Sequence, residues 1–113
     1  MDSKAERKEA ARKFKELKPR RGVYAVRCTA TARTWVGSTL NLDSTKNRFW
    51  LGLRMGGHPD KSIQLEWNTH GEAAFEYEIL EVLDEDLPAL LLGDAMKERR
   101  RHWIERLGAH ATQ

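Results

Sequence analysis

Two short runs of β-branched and aromatic residues, Val23-Tyr24-Ala25-Val26 and Thr34-Trp35-Val36, flank a turn-forming stretch at residues 29–32. Runs of this kind predict strands, and their closeness predicts a hairpin. Downstream the apolar period lengthens. Leu42, Phe49 and Leu53 recur at helical spacing after a start at Asn41-Leu42-Asp43, and Gly56-Gly57 closes that helix. Pro59 and Ser62 offer a second start, leading through Ile63, Leu65 and Trp67 to a stop at His70-Gly71. Phe75-Glu76-Tyr77-Glu78-Ile79 then alternates strictly, which predicts a half-exposed strand with an acidic outer face. After Pro88 a last helix carries Met96, Trp103 and Leu107 on one side. At the other end, Ser3 and Glu6 form a capping box. They open a helix over residues 4–17 with Ala10, Phe14 and Leu17 along one face, ended ahead of Pro19. The predicted order is α-β-β-α-α-β-α, an α+β chain with an extra N-terminal helix.

With 113 residues, 40% hydrophobic and 33% charged, the chain has the size and composition of one soluble domain. No apolar run approaches the roughly 20 residues that cross a bilayer, and the first residues are charged rather than an apolar secretory core. The expectation is a cytoplasmic protein with no membrane partner. Cys28 stands alone, so an intramolecular disulfide is excluded and a zinc site built on several thiolates is too. The net charge of +3 is less informative than its distribution. Residues 1–21 hold nine Lys/Arg against four acids, and residues 72–86 hold seven acids and no base. The basic parts suit phosphate and the acidic part does not. The boundaries follow: a basic helix and linker over 1–21, a domain over 22–107, and a tail over 108–113.

Gly22-Val23-Tyr24 and Trp35-Val36-Gly37 form an ordered pair, followed by Ser38-Thr39-Leu40-Asn41-Leu42, the Gly57-His58 turn and Gln64-Leu65-Glu66-Trp67-Asn68. Gly71, the run from Phe75 to Glu81, and Trp103-Ile104 complete the series. In this order and spacing the chain resembles the GIY-YIG nuclease family from about Gly22 to Leu107, with Val for Ile twice and Trp for the second Tyr. The resemblance implies a small three-stranded antiparallel sheet flanked by helices. It also implies phosphodiester cleavage of DNA, assisted by a divalent metal, Mg²⁺ or Mn²⁺.

The resemblance makes Tyr24 the water-activating tyrosine, while Trp35 takes the place of the second tyrosine with no ionisable hydroxyl. The arginine position, eight residues after Gly37, holds Thr45; Arg48 is one helical turn further on and can swing back. The metal-binding glutamate position, three residues before Trp103-Ile104, holds Arg100. No other residue supplies a convincing metal ligand, so neither a metal nor another cofactor is expected unless the chain is catalytically active. The candidate catalytic set for an active enzyme is Tyr24, Arg48 and His58. The candidate nucleic-acid contacts are Arg48, Arg54, Lys61, Arg100 and Arg101, the last two within the block Arg99-Arg100-Arg101. Trp50, next to Phe49, is a candidate base-stacking ring. Three readings stay open: a catalytically degenerate module that binds nucleic acid, DNA before RNA; an active metal-dependent DNA endonuclease using Tyr24 and Arg48; and a protein-interaction domain with no nucleic-acid role. Which protein partners the chain has stays unknown.

Overall fold

The computed structural model describes residues 19–112. The helix expected over residues 4–17 lies outside them. The described elements run β1 (Gly22–Cys28), β2 (Arg33–Thr39), α1 (Leu42–Arg54), α2 (Lys61–His70), a 3₁₀ turn (Glu72–Ala74), β3 (Phe75–Val82), α3 (Ala89–Leu107) and β4 (His110–Ala111). The fold is α+β. The sheet has four strands in the order β3-β1-β2-β4, not the expected three. The addition is β4, which pairs parallel to β2 through Trp35↔His110 and Val36↔Ala111. Thr112 continues it by donating its N–H to the Val36 carbonyl at 2.8 Å. Residues 110–112, expected as part of a tail, are thus held against the hairpin.

β1 is the central strand, which explains why its apolar run does not alternate: it is covered on both faces. Tyr24, Val26 and Cys28 join Trp35, Leu42, Phe49, Trp50, Leu53, Ile63, Trp67 and Phe75 in the larger core, beneath α1 and α2. Val23, Ala25 and Val36 face the other way, against Leu80, Trp103, Ile104 and Ala109. The last helix therefore contributes Trp103-Ile104 to the second face of the sheet. Its register against β3 is fixed by Glu81, which accepts from Trp103 Nε1 and Arg99 Nε, each at 2.8 Å.

Asn41 caps α1 by accepting the Ser44 N–H at 3.1 Å, and Asp60 caps α2 by accepting the Ser62 N–H at 3.0 Å. Gly108 ends α3 in the left-handed region at φ 61°. Pro19, Arg20 and Arg21 are described, and the last two are docked. The Arg20 carbonyl accepts from Leu42 N–H and the Arg21 carbonyl from Leu83 N–H, both at 2.7 Å. The Arg20 guanidinium pairs with Asp43. Among the described residues no helix is long and apolar enough to cross a membrane.

Candidate functional site

Between the hairpin and α1 lies a cavity of about 290 Å³ lined by Tyr24, Ser38, Thr39, Thr45, Arg48, Phe49, Gly52, His58 and Pro59. Tyr24 reaches it because it shares the α1 face of β1 with Val26 and Cys28. It stacks on Tyr77 at 5.5 Å between ring centroids and meets Phe49 edge-on at 6.2 Å. The close approach of β2 depends on Gly37: a Cβ there would lie 2.6 Å from Tyr24 Oη and 2.7 Å from the Thr112 carbonyl oxygen. The glycine of the second tripeptide is thus what lets the phenol and the C-terminal segment meet.

The Tyr24 side chain is fully buried, and its hydroxyl has no hydrogen-bond partner among the described residues. Burial, then Tyr77, raises its pKa well above the ordinary tyrosine value, while the Arg48 and Arg100 charges pull it back only in part. Burial likewise pushes Tyr77 up to about 12. At neutral pH Tyr24 is therefore a phenol and a hydrogen-bond donor. A tyrosine whose pKa is raised by folding stabilises the fold fully below its unfolded value near 10, and that contribution is lost as the pH climbs through the folded value. Stability should fall from about pH 10 upward, at up to about 1.4 kcal/mol per pH unit for Tyr24. Tyr24→Phe is expected to flatten this fall. It should also add about 1 kcal/mol at neutral pH, because it removes an unpaired buried hydroxyl. Urea unfolding between pH 7 and 11.5 measures both.

Thr45 stands where the resemblance expects an arginine, and it is buried. Its Oγ1 lies 2.6 Å from the Asn41 carbonyl oxygen and 2.8 Å from Thr39 Oγ1, and accepts from Arg48 Nη2 at 3.3 Å. The guanidinium one turn further on does reach back to the cavity, and Thr45 is the group that holds it there. His58 packs against Phe49 with ring centroids 4.2 Å apart. Its Nδ1 accepts the Asp60 N–H at 3.0 Å, which places the proton of the neutral ring on Nε2. Burial lowers its pKa, with Asp60 opposing, so the ring is neutral near pH 7.

The other sequence candidates fall elsewhere. Arg100 and Arg101 line a second hollow, of about 470 Å³, with Asp94, Lys97, Glu98 and Ile104 on α3. Arg100 is nonetheless close enough to Tyr24 to act on its pKa. Arg99 departs from the phosphate patch read for its block, because Glu81 binds it. Arg54 stands outside the cavity lining, with Nε and Nη2 donating to the Glu72 carboxylate at 2.8 and 2.7 Å. Lys61 begins α2, exposed and outside the lining. Trp50 is a core ring rather than a stacking platform: Trp67 and Tyr77 meet it edge-on at 5.8 and 6.3 Å. Trp35 is fully buried, donating Nε1–H to Ser62 Oγ at 3.0 Å. Sequence reasoning missed Ser38, Thr39 and Pro59 as lining residues; the short string Gly37-Ser38-Thr39 was the signal for the first two.

Solved structures of an endonuclease domain share this architecture. The catalytic domain of the homing endonuclease I-TevI aligns at 26% identity over 82% of this chain and 98% of that one, with a TM-score of 0.68. A point mutant of the catalytic domain of intron endonuclease I-TevI aligns at 28% identity over 79% of this chain and 84% of that one, with a TM-score of 0.67. This chain has the GIY-YIG nuclease fold. No protein-family profile matches the sequence, and no curated protein does.

The divalent metal that the GIY-YIG resemblance implies does not fit the residues around Tyr24. Mg²⁺ and Mn²⁺ take oxygen ligands, carboxylates above all, and none of the described residues lining the cavity is acidic. The charges that bear on the phenol are the guanidinia of Arg48 and Arg100.

Proposed function

We propose that this chain is a catalytically degenerate member of the nuclease scaffold, a module that binds nucleic acid, DNA in the first instance, without cleaving it. One observation carries the reading: no side chain lining the Tyr24 cavity is an anion, and Arg48, His58, Ser38 and Thr39 bring hydrogen-bond donors to it. A phosphodiester offers only acceptor oxygens. The Arg48 guanidinium, the His58 Nε2–H and the Ser38 and Thr39 hydroxyls suit it as partners, with the buried Tyr24 phenol behind them. Hydrolysis needs in addition an acceptor for the proton of the attacking water. Tyr24 is a neutral phenol, and His58 Nδ1 is occupied by the Asp60 N–H. The return of Arg48 to the cavity favours a second reading, an active endonuclease using Tyr24 and Arg48. That reading still needs a base and a metal site from outside the lining. A reducing, cytoplasmic setting accords with the lone free thiol of Cys28.

The test is binding to labelled single-stranded, nicked and branched DNA over a range of salt. Affinity should fall with rising salt, with a log–log slope of about −2 for two to three neutralised phosphates. Arg48→Ala should reduce that slope by about one and weaken binding roughly tenfold. Binding that is absent or insensitive to salt would instead support a protein-interaction domain.

A further inference from the structure

Away from the cavity, the end of β1 and the last two turns of α2 bring together three side chains that no part of the phosphate reading uses. Cys28, Glu66 and His70 place one ligand atom each, a sulfur, a carboxylate oxygen and an imidazole nitrogen, all within 4.8 Å of one another. Cys28 is four residues along β1 from Tyr24, roughly 13 Å at the rise of a strand, so the two sites are distinct. Glu66 and His70 are one helical turn apart and share a face of α2. Cys28 is carried to them by the pairing of β1 with Arg33 on one side and Phe75 on the other.

We propose that Cys28, Glu66 and His70 form a binding site for Zn²⁺, with solvent in the fourth position. The donor set is the first argument. Thiolate, imidazole and carboxylate together suit a borderline ion such as Zn²⁺ and disfavour Mg²⁺. Charge is the second, since one thiolate and one carboxylate balance the dication. The third is the outer contact that orients the carboxylate. Glu66 Oε1 accepts from Thr31 Oγ1 at 3.0 Å and lies 3.6 Å from Arg33 Nη1. Its Oε2 is left facing His70 Nε2, 3.5 Å away. A ligating carboxylate held by its other oxygen is the usual arrangement of a metal site. Cys28 and Glu66 are buried, whereas the His70 side chain is 30% exposed, which gives the ion a route in and the imidazole room to turn. Drawing the three atoms to the roughly 3.5 Å separations of tetrahedral ligands takes an adjustment of about 1 Å. A bound ion would clip α2 to the end of the central strand.

The experiment is titration of the untagged, reduced full chain with Co²⁺, followed by displacement with Zn²⁺. The expected result is one equivalent bound, with the near-ultraviolet thiolate-to-cobalt band and the intense visible bands of a tetrahedral ion, all reversed by Zn²⁺. His70→Ala should weaken binding by more than about tenfold, and Cys28→Ala should abolish the thiolate band. Should Cys28→Ala fail to fold, His70→Ala and Glu66→Gln decide by their affinities. Absence of stoichiometric binding, a thiolate band that survives Cys28→Ala, or equal affinity in His70→Ala and the unchanged chain would overturn the assignment.

Discussion

Gly22→Ala is expected to cost the fold about 3 kcal/mol or more, the largest stability loss anticipated for a single methyl group in this chain. A Cβ at Gly22 would overlap the Glu81 carbonyl oxygen and press on Leu42 Cδ1. The first is backbone and cannot rotate away. The clash falls just ahead of the β1–β3 register shift between Val23 and Tyr24, so relief would mean unpairing the strand that carries the phenol. In a domain whose total stability is of the order of 5–15 kcal/mol, such a loss should lower the melting temperature by roughly 12 °C or more. Differential scanning calorimetry of the variant beside the unchanged chain measures it. A shift of only a degree or two would show that β3 yields easily and that this glycine is incidental.

Arg100→Glu should produce the largest change in binding. It removes one of the two cations that bear on Tyr24 and sets a carboxylate in its place. Loss of a charged contact is worth about 1.5–3 kcal/mol, and reversal adds repulsion from the phosphate. Affinity for DNA at low salt should therefore drop by about two orders of magnitude without metal. The same substitution restores the kind of oxygen ligand that a divalent ion takes. A guanidinium about 5 Å from a dication repels it by roughly 6–7 kcal/mol at an effective dielectric near 20, and that barrier becomes an attraction. Mn²⁺ should recover part of the lost affinity in Arg100→Glu and leave the unchanged chain unaffected. Anisotropy titrations with and without Mn²⁺ read both effects, and equal behaviour of the two proteins would place Arg100 outside the phosphate path.

The central hairpin, the two helices after it, the alternating strand and the last helix could all be read from β-branched runs, start and stop residues and apolar spacing, although Leu107, on the expected apolar side of the last helix, is exposed. What was missed depends on pairings between distant segments. β4 is two residues long, exposed and without an apolar run, so only its register with Trp35 and Val36 reveals it. Leu65 was named with Ile63 and Trp67 as an apolar residue of the second helix, yet it is 66% exposed, because α2 turns Ile63 and Trp67, one helical turn apart, inward instead. In the candidate site, Arg99 and Arg100 are neighbours of one type, and nothing local says that Glu81, eighteen positions earlier, holds only the first. Arg54 is matched to Glu72 in the same long-range way. Tyr24 and Arg48 were legible through the family resemblance, which marks Tyr24 by its motif and Arg48 by its place one helical turn beyond Thr45. That the phenol would be sealed, neutral and without a partner was not, since Gly37, Tyr77 and the C-terminal segment together determine it.

The most direct measurement is incubation of the unchanged chain with supercoiled, nicked and branched DNA in Mg²⁺ and in Mn²⁺, beside Tyr24→Phe, with single-turnover sampling for slow nicking. Complexes should form, dissociate with salt and leave every phosphodiester intact. Metal-dependent nicking by the unchanged chain that disappears in Tyr24→Phe would contradict it.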